Sequence, residues 1–98
     1  MTFGLPENSL ELIKQTIKQF PDIEEARIFG SRAMGNYRKG SDVDIAIFGQ
    51  NLTPDTLSKL SFQLNEELPL PYFFDVIDAS TLEHQELKKH IEDIGKKL

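Results

Sequence analysis

The sequence predicts an α+β domain in which a small mixed β-sheet is backed by helices, with elements in the order α, β, short α, β, α, β, α. Three observations predict it: segments with apolar residues at helical spacing, short β-rich runs between them, and glycine or proline at the joints. At 98 residues and 39% apolar, the chain is expected to fold as a single domain over residues 1–98 with a modest core.

Asn8 precedes an apolar series at Leu10, Ile13, Ile17 and Phe20, and Glu11 stands where a capping-box partner would sit, so a first helix ending at Pro21 is expected. Ala26 to Phe29 is short and apolar and runs into Gly30, which reads as a strand entering a turn. Gly35, Asn36 and Gly40 mark a loop. Asp42 to Phe48 reads as a second strand, with Val43, Ile45 and Ile47 on one face and Asp42, Asp44, Ala46 and Phe48 on the other. Apolar residues on both faces beyond Asp44 indicate a strand covered on both sides. Thr53-Pro54 supplies an N-cap and a first-turn proline for a helix carrying Leu57, Leu60, Leu64 and Leu68 and stopped by Pro69. Tyr72 to Ile77 is the third strand. Ser80 and Glu83 form a capping box for a last helix whose stripe is Leu87, Ile91, Ile94 and Leu98.

Composition excludes several functions. The absence of Cys rules out disulfides, thiolate zinc sites and a cysteine nucleophile, and it is compatible with a reducing compartment, so a cytoplasmic location is expected. The longest unbroken apolar run, Ile45 to Phe48, is far shorter than the roughly 18 to 20 residues of a membrane span. The first residues show neither a basic nor an apolar signal region. A net charge of −5 argues against a long nucleic acid as ligand. Residues 27–40 nevertheless hold Arg27, Arg32, Arg38 and Lys39 and no acid, so this segment is +4 and the remainder −9. Such a loop suits one small anionic ligand; an ordinary solvated loop is the alternative.

The informative run extends from Gly30 to Asp44. Gly30 permits a tight turn and close approach to a ligand, and Ser31 offers a hydroxyl and an N–H where a short helix begins, a pairing that also suits a plain turn with a capping serine. Asp42 and Asp44 point to one face with Cα atoms about 6.6 Å apart, from a rise of about 3.3 Å per residue. Like charges that close each favour taking up a proton unless a cation lies between them, and Mg²⁺, bound by carboxylates, phosphate oxygens and water, relieves the repulsion. Solvation or capping is the competing explanation for Asp-x-Asp alone. A third acid is available in the third strand at Asp75, between Phe74 and Val76, where an unpaired carboxylate is costly to bury. Asp78, at the strand's end, is explained by turn formation or helix capping. His84 and His90 are about 240° apart on a helix and read as surface residues.

Gly30-Ser31, ten residues, then Asp42-x-Asp44 with a later strand Asp resembles the DNA polymerase β-type nucleotidyltransferase superfamily. More narrowly, Gly-Ser-Arg-Ala-x-Gly ending in Ser-Asp-Val-Asp-Ile is similar to the minimal nucleotidyltransferases, the MNT proteins paired with HEPN-domain toxins. The resemblance implies a polymerase β-like fold, with Gly30 and Ser31 at the nucleotide triphosphate, Asp42, Asp44 and Asp75 as metal ligands for two Mg²⁺ ions and as the catalytic acids, and ATP as the donor. Relatives often carry a second arginine where this chain has Met34, which leaves Arg32, Arg38 and Lys39 as phosphate contacts. It also implies a HEPN-type toxin as partner, receiving AMP on a tyrosine hydroxyl, with the last helix as a candidate part of that interface. Packing into the chain's own core is the other use of its stripe. Two other functional readings stand: a non-catalytic antitoxin that masks its partner's surface, and a small-molecule nucleotidyltransferase completed by a neighbouring copy in an oligomer.

Overall fold

The computed structural model describes residues 3–98. In chain order it contains α1 (Glu7–Lys18), β1 (Glu25–Phe29), α2 (Ser31–Met34), β2 (Val43–Phe48), α3 (Pro54–Phe62) with a π-helical turn Gln63–Glu67, β3 (Phe74–Asp78), a 3₁₀ turn Ala79–Thr81, α4 (Gln85–Ile94) and β4 (Lys96–Lys97). The strands form one mixed sheet in the order β3-β2-β1-β4. β1 pairs antiparallel with β2 and β4, and β2 pairs parallel with β3. Among the described residues no helix is long and apolar enough to cross a membrane.

Strand alternation divides the side chains between two cores. Ala26, Ile28, Val43, Ile45, Ile47 and Phe74 face Ile13 and Ile17 of α1 and Leu60 and Leu64 of α3 and its continuation. On the opposite face Phe29 and Ala46 pack with Ile91 of α4, flanked by Phe48, Ile77 and Leu87. β2 is therefore covered on both sides over Ala46 and Phe48, as its apolar run requires. Beyond that second core, towards the start of β2, the same face carries Asp44. The stripe of α4 is intramolecular: Ile91 is 1% exposed, and Leu87, Ile94 and Leu98 pack against the two cores. It supplies this chain's core rather than a free docking face.

Some element ends differ from those expected. α1 begins at Glu7, with Pro6 as N-cap and no side-chain cap, while the Asn8 carboxamide accepts from the adjacent Ser9 N–H at 2.9 Å. Buried Leu5 sets the chain's entry, and Pro6, which lacks an N–H, needs no partner there. Thr53 caps α3 as expected, its hydroxyl accepting from Thr56 N at 3.2 Å. Ser80 and Glu83 do not cap α4: Asp78 caps the 3₁₀ turn, Ser80 Oγ accepts from Gly49 N at 2.8 Å, and His84 Nδ1 caps α4 by accepting from Leu87 N at 3.1 Å. Gly95 ends α4, and the chain leaves as β4, so Leu98 lies outside the helix.

β3 is an outer strand held by a side chain from the π-helical turn. The Asn65 carboxamide donates to Phe74 O at 3.0 Å and accepts from Phe74 N at 2.7 Å, imitating the ladder bonds of a further strand. This fixes the strand one residue before Asp75. Replacing Asn65 by Leu leaves both Phe74 backbone groups without these partners, so a loss of about 1–3 kcal/mol is expected. Thermal unfolding should show it as a Tm about 5–15 °C lower, and an unchanged Tm would count against this role for Asn65.

Candidate active site

β1 enters the site at Gly30, whose φ of 73° and ψ of −155° fall in a region that only glycine occupies readily. A Cβ there would also overlap Oδ2 of Asp44. Gly30 thus serves two needs, a sharp exit from the strand and room for the carboxylate. α2 then starts at Ser31, with Met34 N donating to Gly30 O at 3.0 Å.

The sheet register brings the acids together. Asp44 is the antiparallel partner of Phe29, next to Gly30, and the parallel partner of Asp75. Asp42 lies just before β2, two residues from Asp44 and near enough for its charge to bear on that carboxyl. Asp44 is half-buried; Asp42 and Asp75 are exposed. Burial, then the charges of Asp75 and Asp42, pushes the Asp44 carboxyl above its ordinary value, and His90 nearby opposes the rise. Among the described residues no three His, Asp or Glu side chains close into a metal cage. The donor set fits a hard ion that takes only part of its shell from protein: two carboxylates paired across β2 and β3 and a third just before β2, whose charges bear on the most buried of them. Mg²⁺ keeps several waters and phosphate oxygens in such sites, and Asp42, Asp44 and Asp75 are the residues that could hold it. Asp78 is occupied elsewhere, its Oδ1 accepting from Ser80 N at 2.9 Å.

The basic residues separate into two groups. Arg32, expected at phosphate, is 2% exposed and its donors are engaged internally. Its Nε and Nη2 donate to Ser41 O at 3.1 and 2.8 Å, and Nη1 donates to Phe3 O at 2.9 Å. The guanidinium also lies 5.3 Å from the Tyr37 ring and 5.0 Å from the Tyr72 ring. Arg32 ties the chain's start, α2 and the approach to β3 to the residue before Asp42. It braces the site from behind rather than facing a ligand. Arg38 and Lys39 are exposed in the turn leading to Asp42, which is closed by Arg38 N donating to Ser41 Oγ at 2.8 Å.

Of the two histidines read as surface residues, His84 is exposed and caps α4, but His90 is half-buried and accepts from Gly30 N at 3.0 Å through Nε2. Its ring also meets Phe29 edge-on, with centroids 6.1 Å apart. The helical period held the signal: His90 stands three residues after Leu87 and four before Ile94, on the flank of the buried stripe.

Residues 11–98 match the family described as "Polymerase beta, Nucleotidyltransferase". No curated protein matches the chain. Among solved structures, a chain of a toxin-antitoxin with AMP-PNP is 26% identical, with a TM-score of 0.73 over 95% of this chain and 72% of that one. A chain from a tri-AMPylated Shewanella oneidensis HEPN toxin in complex with MNT antitoxin is 22% identical, with a TM-score of 0.66 over 93% of this chain and 68% of that one, a likeness of fold. The acids that the register gathers beside Gly30 lie within the matched span, and the chain belongs to the polymerase β nucleotidyltransferase family.

Proposed function

We propose that this chain is an Mg²⁺-dependent nucleotidyltransferase that moves AMP from ATP to a hydroxyl of a partner protein, acting as the MNT antitoxin of a HEPN-type toxin in the cytoplasm. The observation that carries the reading is the parallel register of Asp44 with Asp75, on the face where Gly30 leaves room for the Asp44 carboxylate. The likeness to toxin-antitoxin structures, one with AMP-PNP, supports the nucleotide and the class of partner.

Asp44 on the inner strand and Asp42 just before it would hold two Mg²⁺ ions, and Asp75 would share the one on the acceptor side. When bound, such ions acidify an acceptor hydroxyl and neutralise the triphosphate and departing pyrophosphate. Ser31 at the turn and the exposed Arg38 and Lys39 would grip the triphosphate, with Gly30 shaping the turn. Asp75, exposed on the outer strand, would take the acceptor proton. The acceptor oxygen bonds to the α-phosphorus, the bond from that phosphorus to the β-phosphate bridging oxygen breaks, and pyrophosphate leaves.

The test incubates the protein with its partner, Mg²⁺ and ATP labelled at the α-phosphate. Label should reach the partner with the native chain and not with Asp42→Ala or Asp44→Ala. Neutralisation of the partner by both variants, without labelling, would refute transfer as the mode of action and favour surface masking. Labelling of a metabolite with no partner present would point instead to a small-molecule acceptor.

A further inference from the structure

His90 belongs to the last helix, about 60 residues from the nucleotide motif, yet its ring reaches the turn on which that motif depends. The Gly30 amide is directed at His90 Nε2, 3.0 Å away, so this N–H is committed within the protein. The other side of Gly30 abuts the Asp44 carboxylate. Ile91, the next residue in α4, is 1% exposed in the core formed with Phe29 and Ala46, which anchors the helix directly beneath the turn. Phe29 meets the imidazole edge-on and limits its rotation. The turn is thus held from two sides, by the hydrogen bond that Gly30 N–H donates to α4 and by packing against a carboxylate of β2.

We infer that His90 is a positioning residue for nucleotide binding: by accepting the Gly30 N–H it locks the β1–α2 turn in the positive-φ conformation that presents Ser31 to the triphosphate and leaves space for Asp44. This rests on the nucleotidyltransferase reading and adds to it a residue outside its motif. Without the acceptor, the Gly30 amide turns to water and the turn loses its anchor to α4. Binding of the nucleotide then has to restore the turn, which weakens ATP before it slows the chemistry.

Two variants isolate the acceptor. His90→Phe keeps a ring against Phe29 without an acceptor; His90→Gln keeps an acceptor oxygen at similar reach. The expected result for His90→Phe is a KM for ATP, and a Kd for Mg²⁺-AMP-PNP, raised about five- to tenfold, the scale of one lost hydrogen bond, with kcat within about threefold of native. Gln should return both to within about twofold. Amide hydrogen exchange at Gly30, measured without nucleotide, should accelerate in His90→Phe and recover in His90→Gln. Unchanged ATP affinity in His90→Phe, or no rescue by Gln, would overturn the inference while leaving the transferase reading intact. Native protein that binds no Mg²⁺-nucleotide would remove that reading, and this inference with it.

Discussion

Asp44→Asn is expected to reduce nucleotidyl transfer by at least about 10²–10³-fold while making the metal-free protein more stable at neutral pH. The loss follows from the place of Asp44 between the Gly30 turn and Asp75, where it would hold the Mg²⁺ ions that neutralise the triphosphate, so that removing its charge weakens the ions on which transfer depends. The stability gain follows from the cause of its raised pKa. Burial and the charges of Asp75 and Asp42 make the ionised carboxylate less favourable in the folded chain than in the unfolded one. At pH 7 the native protein carries this cost and the Asn variant does not, so the variant has the higher Tm. As pH falls through the raised folded value towards the ordinary 3.8, folding takes up a proton, so native stability rises relative to Asn and the gap closes. Thermal unfolding of both proteins in EDTA at several pH values checks the sign; a gap that widens on acidification would contradict it.

Arg32→Met should give the largest loss of stability, about 2–4 kcal/mol, with a Tm on the order of 10–20 °C lower. The substitution removes three hydrogen bonds from a guanidinium that is 2% exposed and frees the carbonyls of Phe3 and Ser41. Arg32→Lys should recover less than half, because one ammonium cannot reproduce a planar fork that reaches both carbonyls at once. Denaturant unfolding with an unchanged slope would identify the effect as stability. At a temperature where the variant remains folded, its KM for ATP should stay within about twofold of native. An unchanged Tm with a sharply raised KM would instead return Arg32 to the phosphate.

The sequence carried what depends on local pattern and hid what depends on partners distant in the chain. Helices at Leu10–Ile17 and Leu57–Leu64 were legible because their apolar spacing alone dictates a buried face, and Thr53-Pro54 marks a helix start by itself. The Asp42–Asp44 spacing was legible from the motif, though β2 begins only at Val43; Asp75, read as costly to bury, is exposed and meets Asp44 through the β2–β3 register. β4 was not, since Lys96–Lys97 has neither length nor alternation and is a strand only by pairing with Arg27 and Ile28. Arg32 reads as a ligand-facing cation in a basic loop, and nothing local shows that Phe3 and Ser41 supply carbonyls to bury it. His90 is informative only once α4 is known to pack beneath Gly30.

On the proposed function, Asp42, Asp44 and Asp75 form one cation and nucleotide site beside the Gly30 turn. Mn²⁺ titrated with ATP into ¹⁵N-labelled protein, with amide relaxation followed residue by residue, tests it most directly. Broadening should centre on Gly30, Ser31, Asp42 to Asp44 and Asp75 and should vanish in Asp44→Asn. Sharp signals there, with broadening centred on acids elsewhere such as Glu83 or Glu92, would contradict the account.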